Sequence, residues 1–532
     1  MKQRIIILDT PADRGGPARE ISANRTRPAH AERIKYLPVP SERGRSAVSL
    51  QPDKARGLTE RAGSVPLAQK TEYLVTLTLR PSMILASSKA QIVECEVEVR
   101  DSNCSPVSGA YVKLLLANTK VLGTVGGPIQ VPQYTDTNGR ATLLVPVTAS
   151  TGQYDFNPLP VQTNVIGNGK LLGSAYATLM VKKGETFPSS FAELSDWPSP
   201  ATVNSLVAEE GQGITNDGSN WYFSLAPRPD VSAYWPYQIV KYPMDDTKLL
   251  DDTLSQADMK GGWPKKPKAY YGSITLAALP AGLLQQGYYH AGALCYHDGH
   301  LYVPPEAPAK NSSGYQKPRI AVFTADLNFV TSAELPKPSS PPQPTDPPML
   351  TECGWCAICP TNGLLYTSRF SADALEVYVP RLEVDCSGNK TFSLEYHHTQ
   401  ALLDAMGSPR SIRRLQGGAC TPNGHLYLAS DSDNCEQNIC EHSAIHVFSV
   451  LTGKLWDKHI PVDVDSSLLG FKQWEEIEGI TIVDVAGKNL PFSGQVHLLV
   501  LNNRPKQQGV QWEWDRISIK HFGVSAADRK HL

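Results

Sequence analysis

GQGITNDGSNWYFS (211–224), HAGALCYHDGHLYVP (290–304), CGWCAICPTNGLLYTS (353–368), QGGACTPNGHLYLAS (416–430) and IEGITIVDVAGKNLPFSGQVHLLVLNN (477–503) are five versions of one pattern. Each opens on a glycine and runs through a short apolar segment. Four of them then turn on an Asx-Gly pair before an aromatic second segment. Anchored on Gly213, Gly292, Gly354, Gly417 and Gly479, the copies are spaced by 79, 62, 63 and 62 residues. A fixed period of this size marks a repeat architecture.

A further apolar run follows each copy: YQIVKYPM (237–244), RIAVFTAD (319–326), ALEVYVPR (374–381), SAIHVFSV (443–450) and DRISIKHF (515–522). Weaker fourth runs, KTFSLEYHH (390–398) and GKLWDKHIPV (453–462), precede the next copy. Inner strand, tight turn, aromatic strand, third strand and outer strand make one propeller blade. The expectation is an all-β chain ending in a five-bladed β-propeller over 202–526, or a six-bladed one if the long first unit holds a blade. That unit contains the insertion MKGGWPKKPK (259–268), and LPKPSSPPQPTDPP (335–348) is a second, extended one. The last copy lacks an outer strand, and TVNSLVAE (202–209) is expected to supply it, because an open edge invites aggregation.

Upstream, TEYLVTLTL (71–79), AQIVECEVEV (90–99), AYVKLLLA (110–117), RATLLVPV (140–147) and AYATLMVK (175–182) alternate with period two, as strands do. About 110 residues of such strands suit one β-sandwich over 70–182. Residues 183–201 read as a linker. Residues 1–67 carry 13 Lys and Arg against 7 Asp and Glu, with almost no apolar periodicity. Such a segment cannot bury enough apolar surface to fold, so a disordered basic arm is expected, one that docks to a secretion or assembly partner.

The whole chain of 532 residues has a net charge of −2, which argues against a broadly basic nucleic-acid binder. No stretch approaches 18 apolar residues, so no transmembrane segment is expected. Ile5–Leu8 is shorter than the apolar region of a conventional signal peptide, leaving a cytoplasmic protein or export by a non-classical route.

VRDSNCSPVSGAYV (99–112) and YTDTNGRATLLV (134–145) carry Asp101, Pro106, Val107, Gly109, Thr135, Asp136, Gly139 and Ala141. In these positions the segment resembles the bacterial immunoglobulin-like domains of invasin- and intimin-type adhesins. Cys104 stands where that family usually has glycine. The repeats likewise resemble a bacterial β-propeller family of unassigned activity. Together the resemblances imply an adhesion or surface-recognition protein.

The residues entering each inner strand line a propeller's mouth, where sites are commonly grafted. Here they are Glu210, Gln212, His290, Glu352, Trp355, Gln416, Glu475, Glu476 and Glu478. Glu210, Glu352 and Glu478 would suit Ca²⁺, because hard cations take carboxylate and amide oxygens. The same set could supply a carboxylate pair for hydrolysis, or it could satisfy backbone groups where strands converge. Cys435 with Cys440, and Cys95 with Cys104, are the candidate disulfides. Cys353-x-x-Cys356-x-x-Cys359 has the look of a cluster motif but no fourth ligand at a known spacing, so buried small hydrophobes fit better. Trp221, Tyr222, Tyr302, Tyr366 and Tyr427 recur at one place per blade, which points to packing before carbohydrate stacking. No GxSxG, Walker, GxGxxG or HExxH motif is present.

Three functions follow. The first is a recognition protein, a sandwich stalk with a propeller head for a glycan or cell-surface protein. The second is a calcium-dependent phosphoesterase, lactonase or glycosidase. The third is a structural component of an assembly.

Overall fold

The computed structural model describes residues 73–116, 129–149, 151, 154, 156–185, 191–197, 211–227, 236–243, 275–306, 317–339, 343, 346–348, 350–385, 387–431, 443–456, 460–461, 474–484, 492–503 and 516–525. The basic arm and the segment 202–209 lie outside them.

The first strands form two sheets. β1 (Leu74–Arg80), β3 (Ser87–Arg100) and β6 (Arg140–Ala149) make one, in the order β1-β3-β6. β2 (Met83–Leu85), β4 (Tyr111–Leu116), β5 (Ile129–Tyr134), β7 (Phe156–Gly167) and β8 (Lys170–Lys182) make the other, in the order β2-β8-β7-β4-β5. Alternate residues of both meet in one core, with Val93, Cys95, Val97 and Val99 of β3 facing Val112, Leu114, Val161 and Val181. β7 escaped the sequence reading because Pro158 and Pro160 argue against a central strand. Among the described residues the β4–β7 ladder runs from Tyr111↔Ile166 to Leu116↔Val161, short of both prolines. Cys95 is buried in this core, whereas Cys104 is exposed on a turn with φ +57°, and both are free. The expected Cys95–Cys104 disulfide is therefore not formed, since Cys95 is enclosed in the core while Cys104 lies in solvent on the turn beyond β3. Cys435 and Cys440 lie outside the described residues.

The remainder is a five-bladed β-propeller. Blade 1 is β10 (Gly211–Asn216), β11 (Asn220–Leu225), β12 (Tyr237–Pro243) and β13 (Thr275–Ala278), followed by the short helix α1 (Ala281–Gln285). A two-stranded ladder of β14 (His290–Ala291) and β17 (Pro305–Glu306) extends blade 2, whose sheet is β15 (Cys295–His297), β16 (His300–Val303), β18 (Arg319–Thr324) and β19 (Phe329–Glu334). Blade 3 is β20 (Ala357–Cys359), β21 (Leu364–Thr367), β22 (Ala374–Val384) and β23 (Lys390–Ala401). Blade 4 is β24 (Leu415–Cys420), β25 (His425–Ser430) and β26 (Ala444–Ser449), with β27 (Lys454–Leu455) and β28 (Ile460–Pro461) sharing the outer position. The Asp298-Gly299 turn has φ of +45° and +78°, the two left-handed residues of a type I′ hairpin.

Blade 5 is β29 (Trp474–Asp484), β30 (Phe492–Asn503) and β31 (Arg516–Ser525), and its fourth strand comes from upstream of blade 1. That strand is β9 (Phe191–Trp197), which pairs antiparallel with β31 from Val524↔Phe191 to Ile519↔Trp197. The ring thus closes by an upstream strand, as the pattern demands, but the strand falls within the stretch read as a linker. FAELSDW has few β-branched residues and is bracketed by prolines, which hides it from a propensity reading.

Inner strands touch in the order β10, β15, β20, β24, β29 and back to β10. Their approach explains the repeat glycines. A Cβ on Gly292 would stand 2.1 Å from the Gly354 carbonyl oxygen, one on Gly479 2.7 Å from Gly213 Cα, and one on Gly417 3.0 Å from Gly479 Cα. Between blades the space is filled by the repeat aromatics. Tyr222 lies in the core of blades 1 and 2, Tyr302 in that of blades 2 and 3, Tyr366 between 3 and 4, and Tyr427 between 4 and 5. All are buried, as is Trp221, so these rings pack and present no platform. The inner strands of blades 3 and 4 are also joined by a Cys359–Cys420 disulfide. Cys356, three residues earlier, faces blade 2, with its Sγ 3.9 Å from Cys295 Sγ.

The sandwich is seated on blades 3 and 4 through charge. Glu96 on the outer face of β3 receives both arms of Arg381, each at 2.7 Å, while Arg140 pairs with Glu383. Beyond β8, Glu185 accepts from Lys182 at 2.8 Å, lies 2.7 Å from His425 Nε2, and accepts from Ser449 Oγ. Burial alone would raise the Glu185 carboxyl, but His425 and Lys182 outweigh it and hold it at about 2.

Two predictions follow from these contacts. Gly292→Ala should destabilise the chain by about 3 kcal/mol, because backbone cannot yield as a side chain can. Gly282→Ala in α1, with nothing within 4 Å, should be neutral or stabilising in the same urea titration. Between the model-compound value of 4.5 and about 2, folded Glu185 holds fewer protons than the unfolded chain, so stability falls as acid is added through that window. Glu185→Gln should cost about 3 kcal/mol at neutral pH and flatten that acid dependence; equal acid sensitivity in both proteins would refute the assignment.

Candidate functional site

At the entry to the inner strands, blades 2, 3 and 4 repeat one device. The residue two or three places before the repeat glycine is tied to a residue just past the second strand. In blade 2, His290 is the ladder partner of Glu306, with Nδ1 3.4 Å from Glu306 Oε2. In blade 3, Glu352 Oε1 accepts from the Phe370 amide at 2.8 Å. In blade 4, Arg414 Nη1 lies 3.2 Å from Asp431 Oδ2, and the Asp431 amide donates to the Arg414 carbonyl at 2.9 Å.

The three ties are joined. Glu306 Oε1 accepts from the Cys353 amide at 3.1 Å, next to Glu352, and the Leu415 amide donates to the Phe370 carbonyl at 2.7 Å, next to Arg414. His290, Glu306, Glu352, Phe370, Arg414 and Asp431 therefore form one arc along the mouth.

The arc is not electrically uniform. Burial pulls His290 down to about 4, so the ring is neutral at pH 7. An imidazolium compensating the mouth's carboxylates, the arrangement that would need no metal, is thus disfavoured. Burial raises Glu306, and the charge of Glu352 adds to the rise, against the Cys353 amide that favours the carboxylate. Asp431 is buried beside Arg414, which has a left-handed backbone at φ +47° and lies 5.4 Å over the Phe370 ring.

His290 and Glu352 are brought to the arc. Gln212 and Gln416 sit one residue nearer their glycines, at register shifts in β10 and β24, and are half-buried. Glu478 holds the matching position at the shift in β29 and is buried at 4% exposure. Trp355 was expected at the mouth but is fully buried, its Nε1 donating to Ser368 Oγ at 3.0 Å and its ring filling the space a Cβ on Gly418 would need. Its side chain points between blades 3 and 4, where an aromatic removes most apolar surface from water. Glu210 and the side chains of Glu475 and Glu476 lie outside the described residues. Among the described residues no three His, Cys, Asp or Glu side chains stand together as metal ligands.

Glu306 and Phe370 were missed in the sequence. Glu306 ends the segment LYVPPE, three residues past β16, and Phe370 stands three past β21, so the second strands' exits carry as much of the mouth as the inner strands' entries.

No family model matches this chain, and no curated protein does. Solved structures align over most of it at low identity. An auxiliary nutrient binding protein from Bacteroides ovatus is 14% identical, covering 85% of this chain and 86% of its own, with a TM-score of 0.24. The α-L-arabinanase of Penicillium chrysogenum, complexed with arabinobiose, is 12% identical over 79% and 99%, with a TM-score of 0.25. The Dos1 propeller is 7% identical over 84% and 96%, with a TM-score of 0.24. Among the described residues no helix is long and apolar enough to cross a membrane.

The state of His290 is directly measurable. Its ring resonances should titrate with a midpoint near 4 in NMR spectra of the full chain, against 6.5 for the free side chain. Because the folded ring resists protonation, stability should fall as pH drops from 6.5 towards 4, and less so in His290→Ala. A midpoint above 6.5 would mean that the imidazolium is the native form.

Proposed function

We propose that the chain is a surface-recognition protein, an immunoglobulin-like sandwich seated on a propeller whose mouth binds a glycan or a protein ligand. The division of the sandwich into three and five strands, with the first strand passing from one sheet to the other, supports the immunoglobulin-like reading. The observation that carries the function is His290. Of the three entry ties, only this one lacks a hydrogen bond: Nδ1 is enclosed and unpartnered, while the side chain keeps 32% of its surface in solvent. A buried unpaired polar atom costs on the order of 1–3 kcal/mol, which a bond completed on ligand binding would offset. A ligand hydroxyl donated to the remaining ring nitrogen would place the proton on Nδ1 and close the gap to Glu306, a contact that tightens only on binding.

A second reading, hydrolysis, is favoured by Glu306, a carboxyl with raised proton affinity beside a neutral imidazole. It is the weaker one, because the neighbouring Glu352 and Asp431 are engaged by Phe370 and Arg414 and offer no evident partner carboxylate.

The full chain should be screened on glycan and cell-surface-protein arrays. His290→Ala and Glu306→Gln should each weaken the best interaction about tenfold, roughly one lost hydrogen bond to a polar group, while Gly282→Ala leaves it intact. Binding indifferent to both mouth substitutions would sink this reading. Turnover of an ester, phosphoester or glycoside that Glu306→Gln abolishes would replace it with the second.

A further inference from the structure

Phe370 is an anomaly in this propeller. Of the large apolar side chains exposed in its described part, Tyr237, Phe329, Val384 and Met406 lie on third or outer strands or outer turns, away from the axis. Phe370 stands at the mouth with 39% of its surface in solvent. It is also held rigidly. Its amide is bound by Glu352 and its carbonyl by the Leu415 amide, and two residues on, Ala372 and Ile412 bridge the same loops. Arg414 covers one face of the ring, fixed in turn by buried Asp431 and by a left-handed backbone that costs on the order of 1–3 kcal/mol in a residue with a Cβ. An exposed aromatic on a strained, fully tied backbone is a preorganised surface.

The surroundings say what it is preorganised for. Exposed Arg369 precedes Phe370 in the chain and exposed Arg413 precedes Arg414, which lies over the ring, while Glu352 holds the Phe370 amide. Among the described residues no other large apolar side chain is exposed along the arc, so what they present is one ring and not the larger desolvated core on which an apolar protein segment docks. A single ring bordered by planar hydrogen-bonding groups instead matches a molecule with one apolar face and a polar rim. The C–H face of a pyranose stacks on the ring, and guanidinium and carboxylate groups reach its vicinal hydroxyls.

We infer that Phe370, backed by Arg414, is the stacking platform for a neutral saccharide ring at the propeller mouth. The inference rests on the recognition reading and names its ligand class. His290 and Glu306, at the other end of the arc, then contact a neighbouring sugar unit, so the site takes an oligosaccharide.

The test uses the full chain and an array of neutral hexose and N-acetylhexosamine oligosaccharides, with titration calorimetry on the best binder. The wild type should bind at least one. Phe370→Ala should weaken it about tenfold with unchanged melting, since the side chain is exposed, and Phe370→Trp should retain or improve it. In saturation-transfer NMR the ring C–H protons of one sugar unit should receive the strongest transfer, and lose it in Phe370→Ala. Absence of any neutral saccharide binder, or equal affinity in wild type and Phe370→Ala, overturns the inference. If His290→Ala abolishes binding to a protein ligand while Phe370→Ala does not, the recognition reading stands and the saccharide assignment falls. If Phe370→Ala alone weakens saccharide binding, the platform stands and His290 is the error.

Discussion

Everything in the propeller depends on how closely five inner strands approach at one end. Where Gly292 meets Gly354, and Gly479 meets Gly213, main chain lies against main chain, and even one methyl group has no room. Direct contact replaces side-chain packing there, and the Ala293 amide even donates across blades to the Gly354 carbonyl at 2.8 Å. Farther out the blades splay, and the gap is filled by a tyrosine from the second strand of each of blades 1 to 4. The taper from glycine at the inner strands to bulky side chains farther out is what curls five flat units into a ring. It also decides where chemistry can sit. A side chain beside a repeat glycine must either turn between blades, as Trp355 does, or leave towards the mouth, as His290 and Glu352 do.

That taper is why the propeller was legible in sequence. Glycine at a fixed period and an aromatic about ten residues later are steric requirements, and steric requirements leave one-letter traces. β9 left none, because an outer strand needs only backbone pairing, which FAELSDW makes with β31 without a single β-branched residue. The arc at the mouth was half legible for a related reason. His290 and Glu352 are charged or polar residues at a repeat-anchored position. Glu306 and Phe370 lie after the second strands, where loop lengths differ between blades and no register marks them. The Cys359–Cys420 disulfide was not legible because pairing depends on which face each cysteine occupies. Cys359 and Cys356, three apart, point to opposite neighbouring blades, and only the fold supplies Cys420 opposite the first.

Ring closure and the seating of the sandwich belong together. Glu185 is fixed to blade 4 by His425 and Ser449, and six residues later Phe191 begins the strand that completes blade 5. The connection between the domains is therefore built into the ring, and the paired arms of Arg381 on Glu96 hold the sandwich against blade 3. Charge pairs of this kind cost desolvation and contribute orientation more than net stability. A sandwich held in this way is fixed in orientation against the propeller, which a freely tethered domain would not be.

The three entry ties carry the functional argument because they are copies with different degrees of completion. If polar residues at these positions served only to satisfy strand ends, each blade should solve the problem equally well. Blade 3 does so with a carboxylate on an amide, and blade 4 with a guanidinium on a buried carboxylate. Blade 2 places an imidazole opposite a carboxylate in the same geometry and leaves the nitrogen unpaired at 3.4 Å. Repetition thus supplies an internal control that a single pocket lacks. The pair that departs from the other two lies one blade away from Phe370, joined to it through the Cys353 amide on Glu306 and the Phe370 amide on Glu352, and on the proposed reading a ligand completes the missing bond.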